Sequence, residues 1–186
     1  MELQYGRIFN YDYQIYLEKD ASTRDAVDIL LKDPENVLVC SYASYTTRLY
    51  FENDRDAAAN AIILDPADAE KIFDLRATDK KTPLFLGDEG IIVSERFAEN
   101  NGIRAGDTVT LESSDGLKAE AVVKDICEMY FQHYIFMSED TYRSLFGILR
   151  GRVGGGGEIG QQAGPDGGLC EDHGLRLPGE LFRDDG

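Results

Sequence analysis

The apolar and polar positions divide the chain into three stretches of different character. In the first, "DYQIYLE" (12–18) sets Tyr13, Ile15 and Leu17 against polar neighbours, the alternation of a half-buried strand. Ser22 stands where an N-cap belongs, with Asp25 three residues on. The helix behind it gathers Ala26, Ile29, Leu30 and Leu31 largely on one side. Asp33-Pro34 ends that helix, because a residue before proline avoids the helical conformation. "NVLVCSYASYTTRLYFEN" (36–53) is rich in β-branched and aromatic residues and reads as one long strand, and "AANAIILD" (58–65) as another. Asp65-Pro66 pairs an N-cap with proline at the first helical position, which opens a short helix to about Phe73.

The second stretch begins at Thr82. "PLFL" and "GIIVS" are short strand patterns separated by Gly87, Asp88 and Gly90. Ser94 is placed to cap the helix "ERFAENN", and Gly102 to stop it from the C′ position. A turn and the alternating strand "DTVTLES" follow, then the hairpin turn "SDGL" and the return strand "KAEAVVKDICEMY". "HYIFMS" is a further strand, Ser138 caps the helix "EDTYRSLF", and Gly147 closes it. Ile91, Val93, Val109, Leu111, Val122, Val123, Ile126, Ile135 and Phe146 are expected to share one core. The pattern predicts an α+β chain. A split α/β lobe (β-α-β-β-α) occupies 1–81, and a mostly-β inserted lobe with two short helices across its ends occupies 82–147.

The third stretch, 148–186, loses both periods. It holds 12 of the 19 glycines and a single aromatic, Phe182. An irregular, Gly-rich tail is the plain expectation. Linkers favour Gly with Ser, however, whereas this tail mixes in Arg, Leu and Cys170. A shifted reading frame in a GC-rich gene accounts for that composition. Moved by one nucleotide, with permitted codon choices, the tail reads as a strand, a helix and a strand.

Composition narrows the function classes. With 42% hydrophobic residues, and 19 aromatics in 10 Tyr and 9 Phe, the chain can build a core. Thirty-five acidic against 19 basic residues give a net charge of -16, which argues against a basic face for nucleic acid or anionic lipid. No apolar run approaches the roughly 18–20 residues of a membrane span, and Met1 opens no signal peptide. The three cysteines, Cys40, Cys127 and Cys170, are widely spaced and form no CxxC. Cys40 and Cys127 lie in apolar strand patterns and are expected to be buried small hydrophobes.

The segment "GIIVSERFAENNGIRAGDTVTLESSDGLKAEAVVKDICEMYFQHYIFMSEDTYRSLFG" resembles the extracytoplasmic, MacB-like periplasmic core domain of FtsX/MacB-type ABC transporter permeases. In that family a Gly-led apolar strand ending in Ser/Thr-Glu precedes a short helix. A glycine turn follows, here Gly102, Ile103, Gly106, Asp107 and Val109, and then a hairpin. The block closes on His133, Tyr134, Ile135, Met137, Ser138, Tyr142, Phe146 and Gly147. The N-terminal "YGRIFNYDYQIYLE" resembles the segment that leaves the membrane in these permeases, so the resemblance spans roughly residues 5 to 147. A β-α-β segment completes the split lobe in that family, and it belongs where this chain turns Gly-rich.

Each motif residue has a physical reading of its own. Gly106-Asp107 makes a tight turn into a strand. His133 has no second imidazole or thiolate at ligand spacing, so a structural or interface role is expected rather than catalysis or metal binding. No G-x-S-x-G, P-loop or HExxH is present, and no pair of carboxylates stands out as acid and base. Neither enzymatic activity nor a cofactor nor a metal is expected.

The resemblance implies a domain that couples ATP-driven movement of membrane helices to the handling of a cargo, peptide or protein partner outside the membrane. Its partners would be the cognate transmembrane helices and a separate ABC ATPase, with no nucleic acid. Its place would be the extracytoplasmic side of the cell membrane. The alternative is a free-standing soluble β-rich ligand-binding or adaptor domain.

Overall fold

The structure, a computed structural model, describes residues 8–11, 13–16, 23–32, 36–51, 55–147 and 158–163. The elements in chain order are β1 (Tyr13–Tyr16), α1 (Thr23–Leu30), β2 (Asn36–Tyr50), β3 (Asp56–Leu64), α2 (Pro66–Ile72), β4 (Ile91–Ser94), α3 (Glu95–Asn101), β5 (Thr108–Glu112), β6 (Lys118–Cys127), β7 (Tyr134–Ser138), α4 (Glu139–Phe146) and β8 (Glu158–Ala163). The fold is α+β around a mixed sheet of eight strands in the order β1-β8-β2-β3-β7-β4-β6-β5.

Six of these strands close on themselves. β5 pairs with β6 through Thr108–Glu112 and also reaches β2, with Leu49 opposite Leu111 and Tyr50 opposite Thr110. The ring β2-β3-β7-β4-β6-β5 is therefore a small barrel. β3 and β7 run parallel, as do β4 and β6, while β4 and β7 are antiparallel. One strand of a barrel this small brings its inward side chains into contact with those of all the others. Leu49, Ala61, Ile63, Ile91, Val93, Val109, Leu111, Val123, Ile135 and Met137 share one buried cluster inside it.

β3, β4 and β7 are buried on both faces. Ile63, Val93 and Ile135 point into the barrel, whereas Ile62, Ile92 and Phe136 point the other way into a second cluster under α2, with Phe9, Ile72 and Phe73. This double burial explains why "AIIL", "IIV" and "YIFM" are continuous apolar runs rather than alternating ones. β5 and β6 are covered on one face only and do alternate.

β2 joins two ladders. Its first half, Asn36–Tyr42, pairs with β8, and its second half, from Ala43, pairs with β3. β8 pairs in turn with β1, Tyr13 opposite Gln161. The expected irregular tail is thus corrected at Glu158–Ala163, and β1 and β2 do not lack a neighbour there. A β-ladder is made by backbone groups, so an "EIGQQA" segment with no apolar alternation can still fill the gap between two strand edges. The rest of the tail, including Cys170 and Phe182, lies outside the described residues, as does the expected N-cap Ser22.

Four further expectations are corrected. "PLFL" forms no strand: Pro83 makes an isolated bridge to Arg76, and the Leu84 N–H donates to the Leu75 carbonyl at 2.9 Å. Proline removes one ladder donor, and this short stretch follows the bend at 78–82 instead. Val122 is exposed, because its neighbours Ala121 and Val123 take the inward positions of β6. Ile126 and Phe146 pack against the barrel core only in part. Ile29 on α1 and Leu31 just beyond its end are exposed.

Candidate functional site

The residues singled out from the sequence fall mainly at the two ends of the barrel. α3 follows β4 and α4 follows β7, and those strands are antiparallel, so the two helices close opposite ends.

At the α3 end, Phe97 and Ala98 enter the barrel core and Gly102 ends the helix with φ 71°. Left-handed backbone of this kind suits glycine, which has no Cβ to clash. Gly106, with φ 94°, carries the chain into β5. Asp107 is a turn residue: its Oδ2 accepts from the Arg104 N–H at 2.8 Å. The turn is pinned to β6, since the Gly106 N–H donates to the Val123 carbonyl at 2.7 Å and the Val123 N–H to the Asp107 carbonyl at 2.8 Å. His133 stands at the same end, half-buried, with its ring 5.1 Å from that of Phe97. Its carbonyl accepts from the Asn60 N–H at 2.7 Å, while its Nδ1 is buried without a hydrogen-bond partner. The next residue, Tyr134, donates its N–H to Ser94 Oγ at 3.0 Å and its hydroxyl to Gln132 Oε1 at 2.7 Å. Gln132 itself holds a positive φ of 61°.

At the α4 end, Met137 is fully buried in the barrel. The Ser138 hydroxyl caps α4 by accepting from the Thr141 N–H at 3.0 Å. Tyr142 lies edge-on to Tyr45 with ring centroids 6.2 Å apart, and its other side meets Phe146 at 5.1 Å. Gly147 ends the helix with φ 83° and ψ −149°, a conformation open almost only to glycine. Burial holds the Tyr45 hydroxyl above its ordinary pKa.

None of these residues forms a reactive constellation with another. His133 sits at the α3 end, and Ser138 and Tyr142 at the α4 end. Among the described residues no group of three His, Cys, Asp or Glu side chains is placed to hold a metal ion. Burial pushes the Cys127 thiol up to about 12. The Cys40 thiol is also pushed up to about 12, by burial first and then by the Asp68 carboxylate. Both are neutral, inert core groups at physiological pH.

Sequence patterning missed the role of Ser94. It was placed to cap α3, yet its side chain makes no cap hydrogen bond and binds β7 instead. No local signal reveals a partner 40 residues away.

No protein-family model and no curated protein matches the sequence. Solved structures do. The extracellular domain of the noncanonic ABC-type transporter YknZ from Gram-positive bacteria superposes with a TM-score of 0.53 over 82% of this chain and 83% of that one, at 12% identity. The chain has the fold of an ABC-transporter extracellular domain. The periplasmic region of MacB from Actinobacillus actinomycetemcomitans gives a TM-score of 0.49 at 15% identity, over 87% of this chain and 75% of that one. Within this fold, no helix among the described residues is long and apolar enough to cross a membrane.

Proposed function

We propose that this chain is the extracytoplasmic domain of an ABC transporter permease and that it transmits motion rather than performing chemistry. The observation that carries the reading is the likeness to the YknZ extracellular domain over more than four-fifths of both chains. Two features of the fold support it. β1 and β8 are antiparallel neighbours, so the chain enters and leaves this sheet at one end, as suits a domain set between two membrane segments. β2 then runs unbroken from that sheet into the barrel wall, which gives displacement of β1 and β8 a stiff route to the barrel.

In this reading the membrane helices of the permease and a separate ABC ATPase are the partners. The barrel with its helical caps meets a cargo, a peptide or a protein on the outer side. Gly102, Gly106, Asp107, Ser138 and Gly147 shape the caps, while His133, Tyr134, Met137, Tyr142 and Phe146 pack them. The test is expression of the whole gene with its neighbouring genes, followed by purification from membranes. Co-purification of an ATP-hydrolysing subunit supports the proposal. Recovery of the chain as a soluble protein without such a subunit favours the free-standing adaptor.

A further inference from the structure

We propose that the cleft between α4, β6 and the loop at 87–90 receives a basic amphipathic segment of a partner protein. This deepens the reading above by naming the surface that meets a partner. Its test needs only the folded chain, so it can fail while that reading stands.

The outer face of the barrel is covered by α2 and residues 8–9 over β3, β4 and β7. Over β6 it is left uncovered among the described residues. There the outward side chains are Glu120, Val122 and Lys124, and Val122 is 50% exposed. Beside them lies an open cleft of about 800 Å³, walled by the loop on one side and α4 on the other. That is within the size range of ligand sites.

Two contacts set its walls. The Thr141 hydroxyl of α4 approaches the Gly87 carbonyl at 3.4 Å, a long contact between helix and loop. Gly90, with φ 79°, lies so close to β6 that an added Cβ would sit 3.1 Å from both the Val122 carbonyl and Lys124 Cβ. Only glycine lets the loop rest there.

The lining commits the occupant. Val122 and Leu145 give an apolar floor. Asp88, Glu89 and Glu120 supply three carboxylates, and none is in an ion pair among the described residues. Among the described residues the one cation lining the cleft is Lys124, whose Nζ lies against Gly87. The local excess of negative charge adds to the net charge of -16 on the whole chain. A partner that covers this cleft therefore carries Lys or Arg at its rim and apolar side chains at its centre. An open cleft lined by three elements suits a polypeptide segment rather than an enclosed small molecule.

The test titrates the full chain into a short fluorescein-labelled Lys/Leu peptide and reads fluorescence anisotropy at about 0.15 M salt. Val122→Ser should weaken binding about fivefold. The pair Asp88→Asn with Glu120→Gln should weaken it about tenfold. The pair Glu70→Gln with Glu99→Gln, which removes the same charge on α2 and α3, should change it less than about twofold. A Glu/Leu peptide should not bind. Equal weakening by both pairs would reduce the effect to bulk charge and overturn the proposal. So would unchanged binding by Val122→Ser, or no binding by the native chain.

Discussion

The hydroxyl of Ser94 accepts a hydrogen bond from the backbone N–H of Tyr134 at 3.0 Å, and both residues are buried. The bond joins the end of β4 to the start of β7 where α3 begins. Removing it leaves a buried N–H unsatisfied, which costs about 1–3 kcal/mol. Ser94→Ala should lower the urea-unfolding free energy by that amount. If Ser94 acted only as a helix cap, Ser94→Gly would restore most of the loss, whereas the observed bond predicts no such rescue.

Neighbouring valines on β6 should respond in opposite ways. Val123 is fully buried in the barrel and Val122 is half exposed. Val123→Ala should cost about 1.5–3 kcal/mol from lost burial and the cavity left behind. Val122→Ala should stay within about 0.5 kcal/mol. Equal losses in chemical denaturation would mean that the strand register is wrong.

That pair also shows what the sequence could and could not reveal. The strand pattern of β6, the turn glycines Gly102 and Gly106, and the caps Asp65 and Ser138 were legible, because each obeys a local rule. The inward or outward choice at Val122–Val123 was not, since two adjacent valines satisfy either register. The barrel closure at Leu49–Leu111 was not legible either, because pairing across 62 residues leaves no local trace. For the same reason Glu158–Ala163 gave no sign of a strand: its place is set by the edges of β1 and β2. Of the candidate site residues, the turn and cap positions were readable. The cleft beside Val122 needed the tertiary arrangement.

The buried thiols give a pH prediction. An unfolded cysteine ionises near about 8.5, whereas Cys40 and Cys127 in the fold are pushed up to about 12. Between those values the unfolded chain releases protons that the folded chain retains. The stability tied to the thiols is therefore complete below about pH 8.5 and is lost as pH rises toward 12. The urea midpoint should fall between about pH 8 and pH 10. The fall should be smaller in a Cys40→Ala/Cys127→Ala variant, and an identical fall would remove the thiols as its source.

The place of β8 predicts hydrogen-exchange behaviour. Asn36–Tyr42 of β2 pair with Glu158–Ala163. A chain truncated after Gly147 should exchange its 36–42 amides faster, while 43–50, held by β3, should be unchanged. Unaltered exchange at 36–42 would show that β8 does not hold that edge. It would return attention to the shifted reading frame, which resequencing the codons for 145–157 decides.

The central claim, a permease domain on the outer side of a membrane, is tested most directly by topology. Leu117, on the hairpin turn away from the proposed cleft, is exposed, whereas Cys40 and Cys127 are buried, so Leu117→Cys with Cys170→Ser provides a reactive thiol on the barrel. The whole gene carrying these changes should be labelled by a membrane-impermeant maleimide in intact cells, as fully as after lysis. Labelling only after lysis would place the domain inside the cell and contradict the account.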